Sequence, residues 1–271
     1  MPATPDYTRY RCLKIEKRDS IATVWLDRAE TRNQIDRELH HELRDIWPVL
    51  GADRDVNAIL LTGAGDYFSV GGNVKAMLTR PGGDVFEEGE MIEPRSARQI
   101  VRNILDCEKP IVCAINGDCV GLAATVALLC DITICAEDAR IGDPHVRIGL
   151  VAGDGGAVIW PLLVGPNRAK EFLMRGTLLR GADASRIGLV NYAVPRHQVL
   201  EKATAIAHEL ADGPPWAIRW TKLVVNKVLK EMENLVLDAS FALEMATFRT
   251  EDHREAVQAF IQKRKPRFTG R

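Results

Sequence analysis

Lys109-Pro-Ile-Val-Cys-Ala-Ile-Asn-Gly-Asp-Cys-Val-Gly-Leu-Ala-Ala-Thr-Val-Ala-Leu-Leu-Cys-Asp-Ile-Thr-Ile-Cys135 decides the fold. Residues 110–115 form an unbroken apolar run with β-branched side chains, the pattern of a strand buried on both faces. Residues 121–130 are apolar over a helical length and open on a glycine; 131–135 repeat the strand pattern. Strand, helix and strand with short joints imply parallel pairing through a crossover helix.

The same alternation extends upstream. Residues 58–62 read as another buried strand, and 96–107 as a helix. The runs 11–17 and 21–26, parted by Arg18-Asp-Ser20, read as an antiparallel hairpin. Ile35, Leu39, Leu43, Ile46 and Leu50 share one face of a helix that ends near Gly51. Residues 78–95, with Gly82-Gly-Asp84 and several glutamates, predict a mobile loop. After Val194-Pro195 the strand signals stop, and 198–212, 215–232, 234–248 and 252–263 read as four helices. The expectation is an α/β core over 1–200 and a helical region over 201–271.

Composition narrows the partners. The chain of 271 residues is 46% hydrophobic, enough for a sizeable core, and its net charge of −1 gives no reason to expect nucleic acid or a membrane surface. No apolar run approaches a membrane span, and Met1-Pro-Ala-Thr-Pro lacks a signal-peptide core. The six cysteines form no CxxC pair and lie mostly in apolar surroundings, which fits reduced thiols in a cytoplasmic protein. Histidines 40 and 41 are far from any cysteine, so no metal is expected. Tryptophans 25, 47, 160, 216 and 220 are assigned to core or interface packing.

Two segments look built to hold a negatively charged oxygen. Phe68-Ser-Val-Gly-Gly-Asn-Val-Lys75 follows a strand and precedes a helix-like stretch, and Gly71 and Gly72 let the backbone approach a ligand. The second is the turn at Gly121 and Leu122, which opens the apolar helix; N–H groups at a helix start are unpaired and favour negative charge. Two such donors aimed at one point would make an oxyanion hole. Downstream, Ile141-Gly-Asp-Pro-His-Val-Arg-Ile-Gly-Leu-Val-Ala-Gly-Asp-Gly-Gly156 sets His145 nine residues before Asp154. An imidazole can move a proton near neutral pH, and a buried carboxylate can fix its tautomer. Asp143 competes with Asp154 as that partner; the intervening Pro144 and the short loop favour Asp154. Structural roles are open to both residues, His145 as a loop histidine and Asp154 as a helix cap. The remaining histidines, including 40 and 41 on a polar helix side, are read as structural.

In order and spacing these segments resemble the crotonase (enoyl-CoA hydratase/isomerase) superfamily. The landmarks are Asp27-Arg-Ala-Glu-Thr-Arg-Asn-Gln-Ile-Asp36, residues 68–75 and 109–117, Cys130-Asp131, Gly188-Leu-Val-Asn191 and Phe260-Ile-Gln-Lys-Arg-Lys-Pro-Arg-Phe268. The resemblance implies a spiral of ββα and βαβ units with a helical trimerisation region, assembled as a homotrimer or a dimer of trimers. It implies that the N–H groups of Gly72 and Leu122 hold a thioester oxygen. Coenzyme A, part of the substrate rather than a separate cofactor, would lie along Thr31, Arg32 and the backbone of Val70, Gly71, Asn73 and Val74. Phe260 and Lys263 would reach its adenine end, often from a neighbouring subunit. Leu122, Gly121, the loop 78–95 and the helix around Phe241 would border the acyl group.

The departures redirect the chemistry. Where hydratases of this family carry two glutamates, this chain has Thr125 and His145; a threonine hydroxyl can orient water but is no base at neutral pH. Asn73 stands in place of the usual aspartate, and Leu122 in place of a glycine. His145 with Asp154, continued by Val158-Ile-Trp-Pro161, is also similar to 6-oxocamphor hydrolase, a member that cleaves a carbon–carbon bond with a histidine–aspartate dyad. Three functions follow: an acyl-CoA hydratase or isomerase with a His–Asp dyad, a hydrolase of a β-diketone or β-ketoacyl-CoA, and a non-catalytic acyl-CoA-binding homologue.

Overall fold

The computed structural model describes residues 5–79, 86–87, 90–91 and 94–271. The expected mobile loop at 78–95 lies largely outside the described residues. In chain order the strands are β1 (Leu13–Arg18), β2 (Ile21–Leu26), β3 (Ala58–Gly63), β4 (Phe86–Glu87), β5 (Glu90–Met91), β6 (Ile111–Ile115), β7 (Cys119–Val120), β8 (Ile132–Ala136), β9 (Arg140–Gly142), β10 (Leu179–Arg180) and β11 (Tyr192–Val194). The helices are α1 (Arg37–Ala52), α2 (Ala76–Thr79), α3 (Pro94–Asp106), α4 (Leu122–Leu128), α5 (Gly156–Val164), α6 (Pro166–Arg175), α7 (Gly181–Arg186), α8 (Val199–Asp212), α9 (Pro215–Thr247) and α10 (Glu251–Ile261).

A six-stranded sheet runs β1-β2-β3-β6-β8-β11. The β1–β2 hairpin is antiparallel and every later pair is parallel, as the crossover pattern requires. Strands β3 and β6 are buried at every position, which is why they read as continuous apolar runs rather than alternating ones. Helix α8 covers this sheet with Val199, Ala203, Ala207 and Ala211, residues four apart that share the strands' own core. Helix α1 starts at Asp36, whose carboxylate accepts the Leu39 N–H at 3.1 Å, and it buries Leu39, Leu43, Ile46, Trp47 and Leu50.

A second, three-stranded sheet, β10-β9-β7, was not foreseen because strands of two or three residues carry no usable periodicity. It matters most for the site, because its parallel β7–β9 ladder pairs Val120 with Gly142. The two helices expected at 215–232 and 234–248 are one 33-residue helix, α9. Met232-Glu233-Asn234 contains neither proline nor glycine, so nothing there ends the helix. Asparagines stitch the loop ends together. Asn33 donates to the carbonyls of Ala64 and Tyr67 at 2.9 Å, and Asn116 spans the ends of β3 and β6 through Gly63 and Gly65. All six cysteines are buried free thiols, and among the described residues no helix is long and apolar enough to cross a membrane.

Candidate active site

The two glycine-bearing segments meet side by side. Ser69 bridges Cys119; the Val120 N–H donates to the Ser69 carbonyl at 3.1 Å, and the Ser69 N–H to the Asp118 carbonyl at 2.9 Å. Gly71 has φ +80, and a Cβ there would stand 2.6 Å from the Val120 carbonyl oxygen. Only glycine allows the chain to run this close and turn. The Gly72 and Leu122 amides, one after each turn, donate to no protein acceptor among the described residues. Both border one cavity of about 480 Å³. Two unsatisfied donors on a cavity wall are an anion-holding arrangement.

The imidazole arrives through the small sheet. The Gly121 N–H donates to the Gly142 carbonyl at 2.9 Å, which fixes the start of α4 against the segment leading to His145. A Cβ at Gly121 would lie 3.7 Å from His145 Cε1, so the ring sits beside the proposed oxyanion turn. His145 begins a short 3-10 turn, His145–Ile148. Its Nδ1 is in hydrogen-bond contact with the Asp143 carboxylate, which also accepts the His145 backbone N–H at 3.2 Å. Its Nε2 faces Asp154 Oδ2 at 3.5 Å and Glu244 Oε1 at 4.0 Å. The sequence favoured Asp154 over Asp143 as the ring's partner. The structure sets both against it, with Asp143 on the nitrogen that fixes orientation and Asp154 on the opposite one. Pro144 does not part Asp143 from the ring: the carboxylate folds back over the turn.

The cluster's electrostatics follow from burial. Removal from water opposes a charge on His145, but the carboxylates of Asp143 and Asp154, with Glu244 behind them, overcome this and raise its pKa well above the ordinary value. Burial pushes Asp154 up to about 6 despite the opposing pull of His145. Burial and then the charge of Asp154 drive Glu244 well above the usual carboxylate range. Thr125, fully buried on α4, lies with its hydroxyl 3.4 Å from Asp154 Oδ1, and so meets the cavity's acid rather than substrate directly. Gly155, not Asp154, is the N-cap residue of α5 and makes no side-chain cap bond, while the Gly156 N–H at the start of that helix pulls the Asp154 pKa down against burial.

The other expected residues divide. Val70, Gly71, Asn73, Val74 and Gly121 line the cavity, as do Leu122, Phe241 and Phe260 of the same chain. Asn73 also caps α2, its Oδ1 accepting the Ala76 N–H at 3.2 Å. Thr31, Arg32 and Lys263 lie outside the lining; Thr31 bonds the Arg28 carbonyl and Arg32 stacks 5.2 Å over Tyr67. Three residues were missed. Glu244, from α9, was one acid among many in a helical stretch. Its signal was spacing: Glu233, Leu237, Ser240 and Glu244 recur on one face, and that face is buried. His40 and His41 were placed on a polar helix side, yet both line the cavity.

The architecture is shared with solved proteins. The chain superposes on the crystal structure of an enoyl-CoA hydratase/isomerase from Mycobacterium paratuberculosis with a TM-score of 0.86 at 31% identity, covering 93% of this chain and 99% of that one. The fold is therefore that of the crotonase class of α/β proteins. Residues 16–271 match the family model described as enoyl-CoA hydratase/isomerase. A putative enoyl-CoA hydratase of Thermus thermophilus is 36% identical over 263 residues, 94% of this chain and 100% of that protein. The 1,2-epoxyphenylacetyl-CoA isomerase of Escherichia coli is 30% identical over 251 residues, 93% of this chain and 95% of its own. The chain belongs to the enoyl-CoA hydratase/isomerase family.

Proposed function

We propose that this protein acts on an acyl-CoA thioester through an enolate whose oxygen is held by the Gly72 and Leu122 amides. The observation that carries the reading is the pair of unpaired amides on the cavity that also holds His145. Donors fixed in advance where charge develops are worth a few kcal/mol each in such a site, about 10²–10³ in rate. Coenzyme A lies along Val70 to Val74 towards Phe260, with Thr31, Arg32 and Lys263 at its outer end.

The proton traffic follows from the cluster. Asp143 holds Nδ1, so Nε2 is the working nitrogen. The raised pKa makes Nε2–H a proton donor in the resting state rather than a base. Asp154, ionised above about pH 6, takes the proton of an attacking water, and Nε2 delivers one to the enolate carbon. Thr125 supports Asp154 and takes no proton itself. The test is His145→Ala with a panel of enoyl-CoA thioesters. Turnover should fall by about 10²–10⁴-fold, and near-full turnover refutes the assignment.

A second reading is hydrolytic carbon–carbon cleavage of a β-diketone or β-ketoacyl-CoA, with the leaving enolate in the same hole. The flanking of His145 by Asp143 and Asp154, and Thr125 in place of a family glutamate, favour it. Product masses separate the two: hydration adds water to an intact chain, whereas cleavage splits it or opens a ring. Assembly through α9 belongs to the same proposal. Trp216, Trp220, Val224 and Val228 recur every four residues and are 58%, 57%, 70% and 61% exposed. Such a stripe of large apolar groups fits a contact between copies in a trimer or a dimer of trimers.

A further inference from the structure

We infer that His253 is a positioning residue: it seats the turn bearing His145 on α10, so the helix that carries Phe260 into the cavity wall also sets the place of the working imidazole. The inference rests on the reading above in which His145 moves the proton, and it adds the residue that holds that ring in place. His253 lies in the first turn of α10 and is 2% exposed. Its Nδ1 is 2.6 Å from the carbonyl oxygen of Ile148, the last residue of the 3-10 turn that His145 begins. A carbonyl only accepts, so Nδ1 carries the proton and donates it. Burial lowers the pKa of the ring, which keeps it neutral, with one donor. Its Nε2 is buried with no hydrogen-bond partner among the described residues. The single donor of this ring is therefore committed to the turn.

The turn's shape and its seat have separate causes. The shape is internal: the N–H groups of Arg147, Gly149 and Leu150 donate to the carbonyls of Pro144, Val146 and His145 at 2.8, 3.1 and 3.0 Å. None of these bonds fixes the turn against α9 and α10. That is done at the corner between the two helices, where His253 holds Ile148 and the Thr247 hydroxyl accepts the Val151 N–H at 3.3 Å. The approach is as close as glycine permits. At Gly149, where φ is +72, a Cβ would stand 2.9 Å from His253 Cα and 3.0 Å from its backbone nitrogen. His253 is itself held. The Thr250 hydroxyl, capping α10, accepts its N–H at 3.1 Å, and its ring meets that of Phe248 edge-on with centroids 5.1 Å apart. Phe248 and Ile148 both line the cavity. Position thus passes from α10 to Ile148 and, within one turn, to His145. Without the donor the Ile148 carbonyl loses its partner and the turn is free to shift; about 1 Å of misplacement at a working group costs about 10²-fold in rate.

The test compares His253→Asn and His253→Leu in the full chain, by steady-state turnover of enoyl- and β-ketoacyl-CoA thioesters, with melting curves to confirm folding. Asparagine carries an N–H on the atom attached to Cγ, where histidine carries Nδ1, and keeps the bond; leucine fills the space without a donor. His253→Leu should lose about 30–100-fold in kcat with KM within about twofold, and His253→Asn should stay within about fivefold of the wild-type kcat. A histidine that only supports the fold would lower the melting temperature of both variants without separating their kcat values. A folded His253→Leu within about threefold of wild type, equal losses in both variants, or a loss carried by KM alone overturns the positioning role and leaves the His145 reading intact. A wild type that turns over neither class of thioester, or full turnover by His145→Ala, overturns that reading and this inference with it. Should a variant misfold, NMR of the wild type labelled in its histidine nitrogens decides. His253 must be the Nδ1–H tautomer; an Nε2–H tautomer leaves the Ile148 carbonyl without its donor and overturns the inference.

Discussion

Gly71→Ala tests the oxyanion assignment directly, and Gly188→Ala is its built-in control. Both glycines have φ +80. An L-residue in left-handed backbone costs about 1–2 kcal/mol, a penalty the two variants share. They differ in what the new methyl meets. At Gly188 the nearest atom is 3.8 Å away, an ordinary contact; at Gly71 the Val120 carbonyl oxygen is at 2.6 Å. Carbon and carbonyl oxygen approach comfortably at about 3.3–3.6 Å, so the segment bearing Gly72 must retreat by roughly 0.7–1 Å. A displacement of that size at a working group costs about 10²-fold in rate, and loss of one oxyanion donor costs about 10²–10³-fold. Steady-state turnover of an enoyl-CoA, measured beside thermal unfolding, should show both variants destabilised. Only Gly71→Ala should lose about 10²-fold in kcat. If folded Gly71→Ala turns over within about threefold of Gly188→Ala, the Gly72 amide is not a working donor and the reasoning fails.

Three further outcomes are expected. Asp154 titrates at about 6 in the folded chain against an ordinary 3.8; a carboxylate raised this way stabilises the fold fully below its unfolded pKa, and that contribution is lost as pH rises through about 6. Asp154→Asn should therefore gain stability relative to wild type between pH 5 and pH 8, on the order of 1 kcal/mol; denaturant midpoints that shift equally at both pH values would contradict this. Trp220→Glu, placing a charge in the exposed α9 stripe, should move the protein to a smaller species by light scattering, while an unchanged mass would exclude that face from the assembly. Glu42→Gln removes a carboxylate that accepts the backbone N–H groups of Arg11, Cys12 and Leu13 at 2.7, 2.9 and 2.9 Å. Its unfolding free energy should drop by about 1–3 kcal/mol, because an amide group cannot accept with both atoms.

Much of the fold was legible because its central elements obey simple patterns. Strands β3 and β6 are wholly buried and read as apolar runs, and α1 carries its core residues at helical spacing. The turns at Gly71 and Gly121 were legible as glycines placed between a strand and a helix. What escaped depended on contacts between distant segments. Asp143 reaches the imidazole only because the turn after Pro144 folds it back, and spacing alone pointed to Asp154. That His40 lines the cavity was hidden too, because the bond from the Ile35 N–H to the Gly71 carbonyl, which ties the start of α1 to this wall, is encoded in no helical periodicity.

Glu244 was hidden for a more general reason: α9 inverts the usual amphipathic rule. Its buried face carries Lys222, Asn226, Glu233, Ser240 and Glu244, while tryptophans and valines face outward. Each inward polar group has work to do. Lys222 donates to the Lys109 carbonyl at 2.8 Å, Asn226 to that of Leu105 at 2.9 Å, and Ser240 to that of Gly153 at 3.0 Å, while Glu233 pairs with Arg102 at 2.8 Å. Glu244 alone among them points to the cavity, fitted against Gly153, where a Cβ would come within 2.7 Å of its Oε2. The helix that leaves an apolar stripe exposed thus also brings a carboxyl group to within 4.0 Å of His145 Nε2. Around this one imidazole, burial holds Asp154 and Glu244 above the usual carboxylate range, while the surrounding carboxylates hold His145 above its own. In the proposed reading, it is the proton this cluster holds on Nε2 of His145 that passes to the substrate carbon.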